Sequence, residues 1–150
     1  MTARVVTFGE TMGLGRAVGV GSLAHVSQLE LGIGGADSNV AIGLTRLGAE
    51  ATWVGRVGAD GLGERVLREL RAEGVQVHAV VDPAAPTGFM LKERRTAETT
   101  RVVFYRAGSA GSRLTPADLE GAGIADAALL HVTGITPALS ETAYATTMAA

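Results

Sequence analysis

The stretch Leu31-Gly32-Ile33-Gly34-Gly35-Ala36-Asp37-Ser38-Asn39 narrows the choice of folds more than any other part of the chain. Before it, apolar residues alternate; after it, Val40, Leu44 and Leu47 recur at helical spacing, and Gly48 follows as a C-terminal cap would. A strand therefore becomes a helix across two adjacent glycines, which permit a sharp bend. Such a corner exposes backbone N–H groups at a helix N-terminus, where polar and anionic ligands are favoured. Asp37 and Asn39 project a carboxylate and an amide toward the same mouth, a pair able to chelate adjacent sugar hydroxyls. A plain turn with Asp37 as helix cap fits the same spacing.

Changes of period recur along the chain. Arg4-Val5-Val6-Thr7-Phe8 reads as a short buried strand bounded by Gly9. A glycine-broken stretch follows, then an alternating run over residues 25–33 with a slip in register after Val26, which predicts a half-exposed, bulged strand. Thr52-Trp53-Val54-Gly55-Arg56-Val57 is strand-like. Asp60 then caps a helix whose apolar stripe is Leu62, Val66, Leu67 and Leu70, with Gly74 after its end. Residues 75–81 form a third strand, completing a β-α-β-α-β series, the pattern of a parallel sheet with crossover helices. Residues 87–93 and 99–105 then read as an antiparallel hairpin, a lid or edge extension. Thr115 and Pro116 open a short helix, residues 127–132 form another buried strand, and a helix from Ser140 still runs at Ala150 without a capping glycine. The expectation is an unfinished α/β domain.

Composition removes several chemistries. The 150 residues hold no cysteine, which excludes disulfides, thiolate catalysis and cysteine-ligated zinc. Lys92 is not preceded by Gly-x-x-x-x-Gly-Lys, so a Walker P-loop is excluded. A net charge of −2 gives no footprint for nucleic acid or anionic membrane, and no apolar run is long enough to span a bilayer. The expectation is a soluble, cytoplasmic protein without nucleic-acid or membrane partners. His25, His78 and His131 show no paired spacing, so no metal site is expected, and His131 is expected to be a structural imidazole.

The glycine corner and the segments C-terminal to it resemble a known family. Gly34-Gly35-Ala36-Asp37-Ser38-Asn39-Val40-Ala41, with Leu44, Leu47-Gly48 and Gly55-Arg56-Val57-Gly58-Ala59-Asp60-Gly61-Leu62-Gly63, is similar to the N-terminal signature of the ribokinase-like (PfkB) carbohydrate kinases. The acidic residue after Gly-Gly-Ala is typical of the 2-keto-3-deoxygluconate kinases among them. Residues 104–112 and 131–140 are similar to the same subgroup. The resemblance implies a ribokinase-like three-layer parallel sheet with crossover helices and a small antiparallel lid, incomplete at the C-terminus. Residues 1–150 would then be the N-terminal part of one sugar-kinase domain, with lid strands at about 25–33 and 87–105.

It also implies roles. Gly34, Gly35, Ala36, Asp37, Ser38 and Asn39 would hold sugar hydroxyls. Phe104, Tyr105 and Arg106 would meet the keto-acid end from the lid, since a guanidinium pairs with a carboxylate that a neutral hexose lacks. A solvated strand-end charge is the other reading of Arg106. Met90 stands where the subgroup often has a tyrosine, which removes one hydroxyl contact. Glu10 falls where these kinases begin a substrate-facing segment, though a surface carboxylate fits equally. A homo-oligomer paired through the lid is a further implication.

ATP and Mg2+ are implied by the family, with their binding residues outside these 150. The second family signature, Gly-Ala-Gly-Asp, supplies the catalytic base and is absent here; the nearest string, Glu120-Gly121-Ala122-Gly123-Ile124, has isoleucine in place of the aspartate. The sequence thus reads as the substrate-binding half of an ATP-dependent sugar or sugar-acid kinase, with no catalytic residue of its own and no activity expected alone. A non-catalytic sugar-binding module or degenerate remnant is the alternative, and fructose or another neutral sugar the alternative substrate.

Overall fold

The computed structural model describes residues 3–150. Four parallel strands form the main sheet: β1 (Arg4–Phe8), β4 (Glu50–Gly58), β5 (Gln76–Asp82) and β8 (Leu129–His131), in the order β5-β4-β1-β8. On one face lie α1 (Ala36–Arg46) and α2 (Gly61–Ala72), whose Ala41, Val66 and Leu70 close over Trp53 and Val57 of β4. Opposite them, Leu114 and Ala122 cover Val6, Phe8 and Val54, with α3 (Glu141–Ala149) behind short 3-10 turns. The alternation of β4 sends Trp53 and Val54 into different layers, so the sheet is buried on both faces, as a parallel sheet requires.

Local rules hold at the helix ends. Asp60 accepts a hydrogen bond from the Gly63 N–H at 2.8 Å and caps α2, and Ser140 caps α3 through the Ala143 N–H at 3.0 Å. Gly48 and Gly74 take φ of +89° and +80° just beyond α1 and α2, the left-handed turn that favours glycine.

The second sheet corrects the expected lid. Its order is β3-β2-β6-β7, with β2 (Met12–Val20), β3 (Leu29–Gly34), β6 (Phe89–Arg94) and β7 (Thr100–Tyr105). The β2/β3 and β6/β7 pairs are antiparallel hairpins, but β2 and β6 join them in parallel, so the lid is mixed rather than antiparallel. The glycine-broken stretch after Gly9 is in fact strand β2. Packing is close at its glycines: a Cβ on Gly13 would come within 2.8 Å of the Leu62 side chain, and one on Gly15 within 2.8 Å of Leu91. The strand expected at 25–33 begins only at Leu29, and the register irregularity lies between β2 and β6 instead. The buried strand expected at 127–132 shrinks to β8, where Leu129 is 52% exposed.

Candidate functional site

The end of β1, the start of α1 and the inner face of the lid converge on one cleft of about 370 Å3. Gly35 precedes α1 in an extended conformation, φ −173°, so no left-handed bend is needed there. Its lack of a side chain matters through proximity, because a Cβ would lie 2.6 Å from the Glu10 carbonyl oxygen. Asp37 sits inside the first turn of α1, which rules out the helix-cap reading.

Asp37 is 2% exposed. Its Oδ2 accepts from the hydroxyls of Thr133 and Thr136, both at a long 3.4 Å. Its Oδ1 has no hydrogen-bond partner and stands 3.7 Å from Nδ1 of His131, which is itself 2.9 Å from the Thr7 hydroxyl. Burial pushes the Asp37 carboxyl above its usual range, and His131, Thr136 and Thr133 pull it back only in part. Gly9 permits this packing: its φ is +157°, and a Cβ there would overlap Asp37 Oδ2.

The facing wall comes from the lid. Met90, Lys92, Phe104 and Arg106 line it, with the Arg106 guanidinium 5.7 Å from the centroid of the Phe104 ring. Arg106 is tied to Glu10 through Nε at 2.7 Å and Nη2 at 2.5 Å, and Ser109 donates to the other oxygen of the same carboxylate. Glu10 is 4% exposed, so it is no surface carboxylate.

Eight of the ten residues singled out by sequence line this cleft: Gly34, Gly35, Ala36, Asp37 and Asn39 on one side, Met90, Phe104 and Arg106 on the other. Two do not. Ser38 is fully buried and donates to the Gly35 carbonyl at 3.2 Å, holding the helix start. Tyr105, 60% exposed, follows Phe104 on β7 and so takes the opposite face of the sheet. Sequence reasoning missed Lys92 and Ile135 in the lining and the cluster of His131, Thr133 and Thr136 around Asp37. The contiguous string 131–140 carried a family signal, but nothing local pointed it at Asp37.

Chemically, the cleft combines an under-bonded buried carboxylate, an amide and two cationic side chains under an apolar cover, and its size suits a small polar ligand. Among the described residues, no group of three or more His, Asp or Glu side chains gathers to hold a metal ion, and no helix is long and apolar enough to cross a membrane.

Comparison with known proteins gives the family. The pfkB family carbohydrate kinase model matches residues 2–150. The chain is 44% identical over 142 residues to a 2-dehydro-3-deoxygluconokinase of Bacillus subtilis, and 38% identical over 148 residues to a 2-dehydro-3-deoxygalactonokinase of Haloferax volcanii. These matches take in 93% and 98% of this chain but 44% and 46% of the relatives, so the chain spans somewhat less than half their length. The PfkB protein of Polaromonas superposes with a TM-score of 0.90 at 39% identity, over 96% of this chain and 49% of that one. A sugar kinase of Pyrococcus horikoshii solved in complex with ATP gives 0.87 at 27% identity, over 96% and 47%. With its fold, its glycine corner and the family match in agreement over nearly every residue, the chain belongs to the pfkB family of carbohydrate kinases.

Proposed function

We propose that this chain is the substrate-binding half of an ATP-dependent sugar-acid kinase acting on 2-keto-3-deoxygluconate (2-dehydro-3-deoxygluconate) or its galactonate counterpart. The observation that carries the reading is one cleft holding both an under-bonded carboxylate, Asp37, and two cations, Arg106 and Lys92. A neutral sugar can use the first but has no charge to pair with the second. The relatives in Bacillus subtilis and Thermoproteus tenax, 44% and 39% identical, are both 2-dehydro-3-deoxygluconokinases, which supports the same substrate class.

In this reading Asp37, whose Oδ1 is buried and unpartnered in the cleft wall, turns that oxygen toward the cleft to accept a hydrogen bond from a substrate hydroxyl, and the Asn39 amide serves a neighbouring hydroxyl as donor or acceptor. Arg106 has five N–H donors, and those not engaged by Glu10 meet the substrate carboxylate, with the Lys92 ammonium adding charge. Met90 is buried beside these contacts, and the half-exposed Phe104 and Ile135 offer apolar surface for a bound substrate to cover. Holding the acceptor fixed is a large part of phosphoryl transfer.

ATP is supported by the ATP-bound Pyrococcus neighbour, and Mg2+ is what the family resemblance implies with it. The carboxylates here do not fit the metal: Asp82 and Asp118 are tied to Arg56, and Asp60 caps α2. The nucleotide and the base that deprotonates the attacking hydroxyl are therefore assigned to residues beyond these 150, and no step is derived through them.

Replacing Arg106 by alanine in the full-length protein that carries this chain is expected to raise KM for the keto acid about 10- to 100-fold, the worth of a charge-assisted contact. KM for fructose should move little. An equal rise for both overturns the acid reading. Alone, the 150-residue chain should bind the keto acid in a calorimetric titration, should not bind Mg-ATP and should turn over nothing; heat from Mg-ATP would refute the division of labour.

A further inference from the structure

We infer that Glu10 is a positioning residue for substrate recognition: it holds the Arg106 guanidinium against the cleft, and the site uses that orientation rather than the charge of the pair. This role rests on the carboxylate reading of Arg106 and goes beyond it.

Arg106 is the first residue past β7, where the chain leaves the lid sheet, so its backbone lies outside the strand pairing. What fixes its side chain is Glu10, 96 residues away on the segment after β1. Nε–H donates to one oxygen, Oε2, which also lies 2.5 Å from Nη2, while Oε1 accepts from the Ser109 hydroxyl. The carboxylate has no freedom of its own. A Cβ on Gly88 would lie 2.6 Å from Oε1, and one on Gly111 would overlap Cγ. The chain keeps side chains away at both positions, and the space left is the shape of a glutamate. A link between the main sheet and the exit of the lid is thereby built around one buried carboxylate.

The pair is neutral as a unit, so among the lining cations Lys92, which has no carboxylate within ion-pair distance among the described residues, supplies the net positive charge. Arg106 contributes direction: with Nε–H bonded to Glu10 and Nη2 held against the same oxygen, the guanidinium keeps a fixed orientation in the cleft lining. The bonding pattern also says which substitution preserves this. A glutamine in the cradle can keep an oxygen at the Oε2 position for Arg106 and offer its NH2 to the Ser109 oxygen. A methionine fills the cradle but accepts nothing.

The test measures KM for 2-keto-3-deoxygluconate and the affinity for fructose in the full-length protein, for Glu10→Met, Glu10→Gln, Arg106→Ala and the double variant Glu10→Met/Arg106→Ala. Glu10→Met should raise the keto-acid KM about tenfold, leaving kcat and the fructose affinity within about twofold, whereas Glu10→Gln stays within about threefold of the parent. The double variant should match Arg106→Ala alone. A rise of equal size for both ligands, or a Glu10→Met effect that multiplies in full onto Arg106→Ala, overturns the inference. If Arg106→Ala itself fails to separate the ligands, the carboxylate reading falls; if it separates them and Glu10→Met does not, only the positioning role falls. Should the methionine variant not fold, Ser109→Ala frees Oε1 with the cradle still filled. Its expected result is the same acid-selective rise at about threefold, and a non-selective rise counts against Glu10.

Discussion

Two buried carboxylates border one cleft, and they are bonded in opposite ways. Both oxygens of Glu10 are bonded: one accepts from Arg106 Nε–H with Nη2 close by, and the other from a hydroxyl. Asp37 is just as inaccessible, yet one of its oxygens has no partner and the other has only two long contacts at 3.4 Å. Burying a carboxylate without full compensation costs stability, which is what the proposed ligand role of Asp37 would explain. A carboxylate bonded at both oxygens belongs to the scaffold that shapes the cleft. On the proposed reading, the same side-chain chemistry serves binding at the start of α1 and architecture on the segment after β1.

The largest effect should come from Asp37→Asn. Losing the charged acceptor is expected to weaken keto acid and fructose alike, by about 10- to 100-fold, because hydroxyls are common to both. That parallel loss separates Asp37 from Arg106, whose removal discriminates between the ligands. Calorimetric titration with both sugars reads the difference, and retention of affinity by Asp37→Asn would show that binding does not need the carboxylate charge.

Glycine substitutions sharpen the contrast at the next level. Gly9→Ala drives a methyl onto Asp37 Oδ2 and Thr136 Oγ1 at a backbone φ of +157°, and should cost affinity for both ligands about tenfold. Gly111→Ala pushes instead on Glu10 Cγ. Overpacking there should lower stability by about 1–3 kcal/mol in denaturant titrations and weaken the keto acid more than fructose. The two alanines giving the same selectivity would erase the distinction between the walls.

The parts of this molecule legible in its sequence are those whose cause is local. Helices α1 and α2 announced themselves by period and by Gly48 and Gly74, and the Gly34–Asn39 wall is one contiguous string. Strand β2 stayed hidden because Gly13 and Gly15 have no side chain to show a period, and the side chains packed close to them, Leu62 and Leu91, lie far along the chain. The parallel join of β2 to β6 is a register between distant strands, which no window of sequence contains. Within the site, Phe104, Tyr105 and Arg106 read as one cluster, but a strand sends neighbours to opposite faces and removes Tyr105. Thr136 reaches Asp37 across 99 residues and Arg106 reaches Glu10 across 96, so each carboxylate's role depends on partners that only folding supplies.

The smallest effect is the one that tests the energetic side of the comparison. Burial holds the Asp37 carboxyl above its unfolded value of 3.8. Between the unfolded and folded values the native state binds more protons than the unfolded chain, so stability falls as pH rises through that window. The favourable contribution is complete below the unfolded value and gone above the folded one. Asp82 and Asp118 run the other way. Asp82 is held low chiefly by the Ala84 N–H and then by Arg113 and Arg56, whereas at Asp118 burial pushes upward and is outweighed by Arg56 and Thr115. Both are present in parent and variant and cancel in the difference. Asp37→Asn removes the titration, so thermal melts of the two proteins should separate in favour of the variant as pH is raised from about 4 toward neutrality. A variant that binds worse yet melts higher at neutral pH would mark Asp37 as a carboxylate kept for its ligand at the expense of the fold. An unchanged gap across that range would mean that Thr133, Thr136 and His131 already satisfy it, and the distinction from Glu10 would then rest on hydrogen-bond geometry alone.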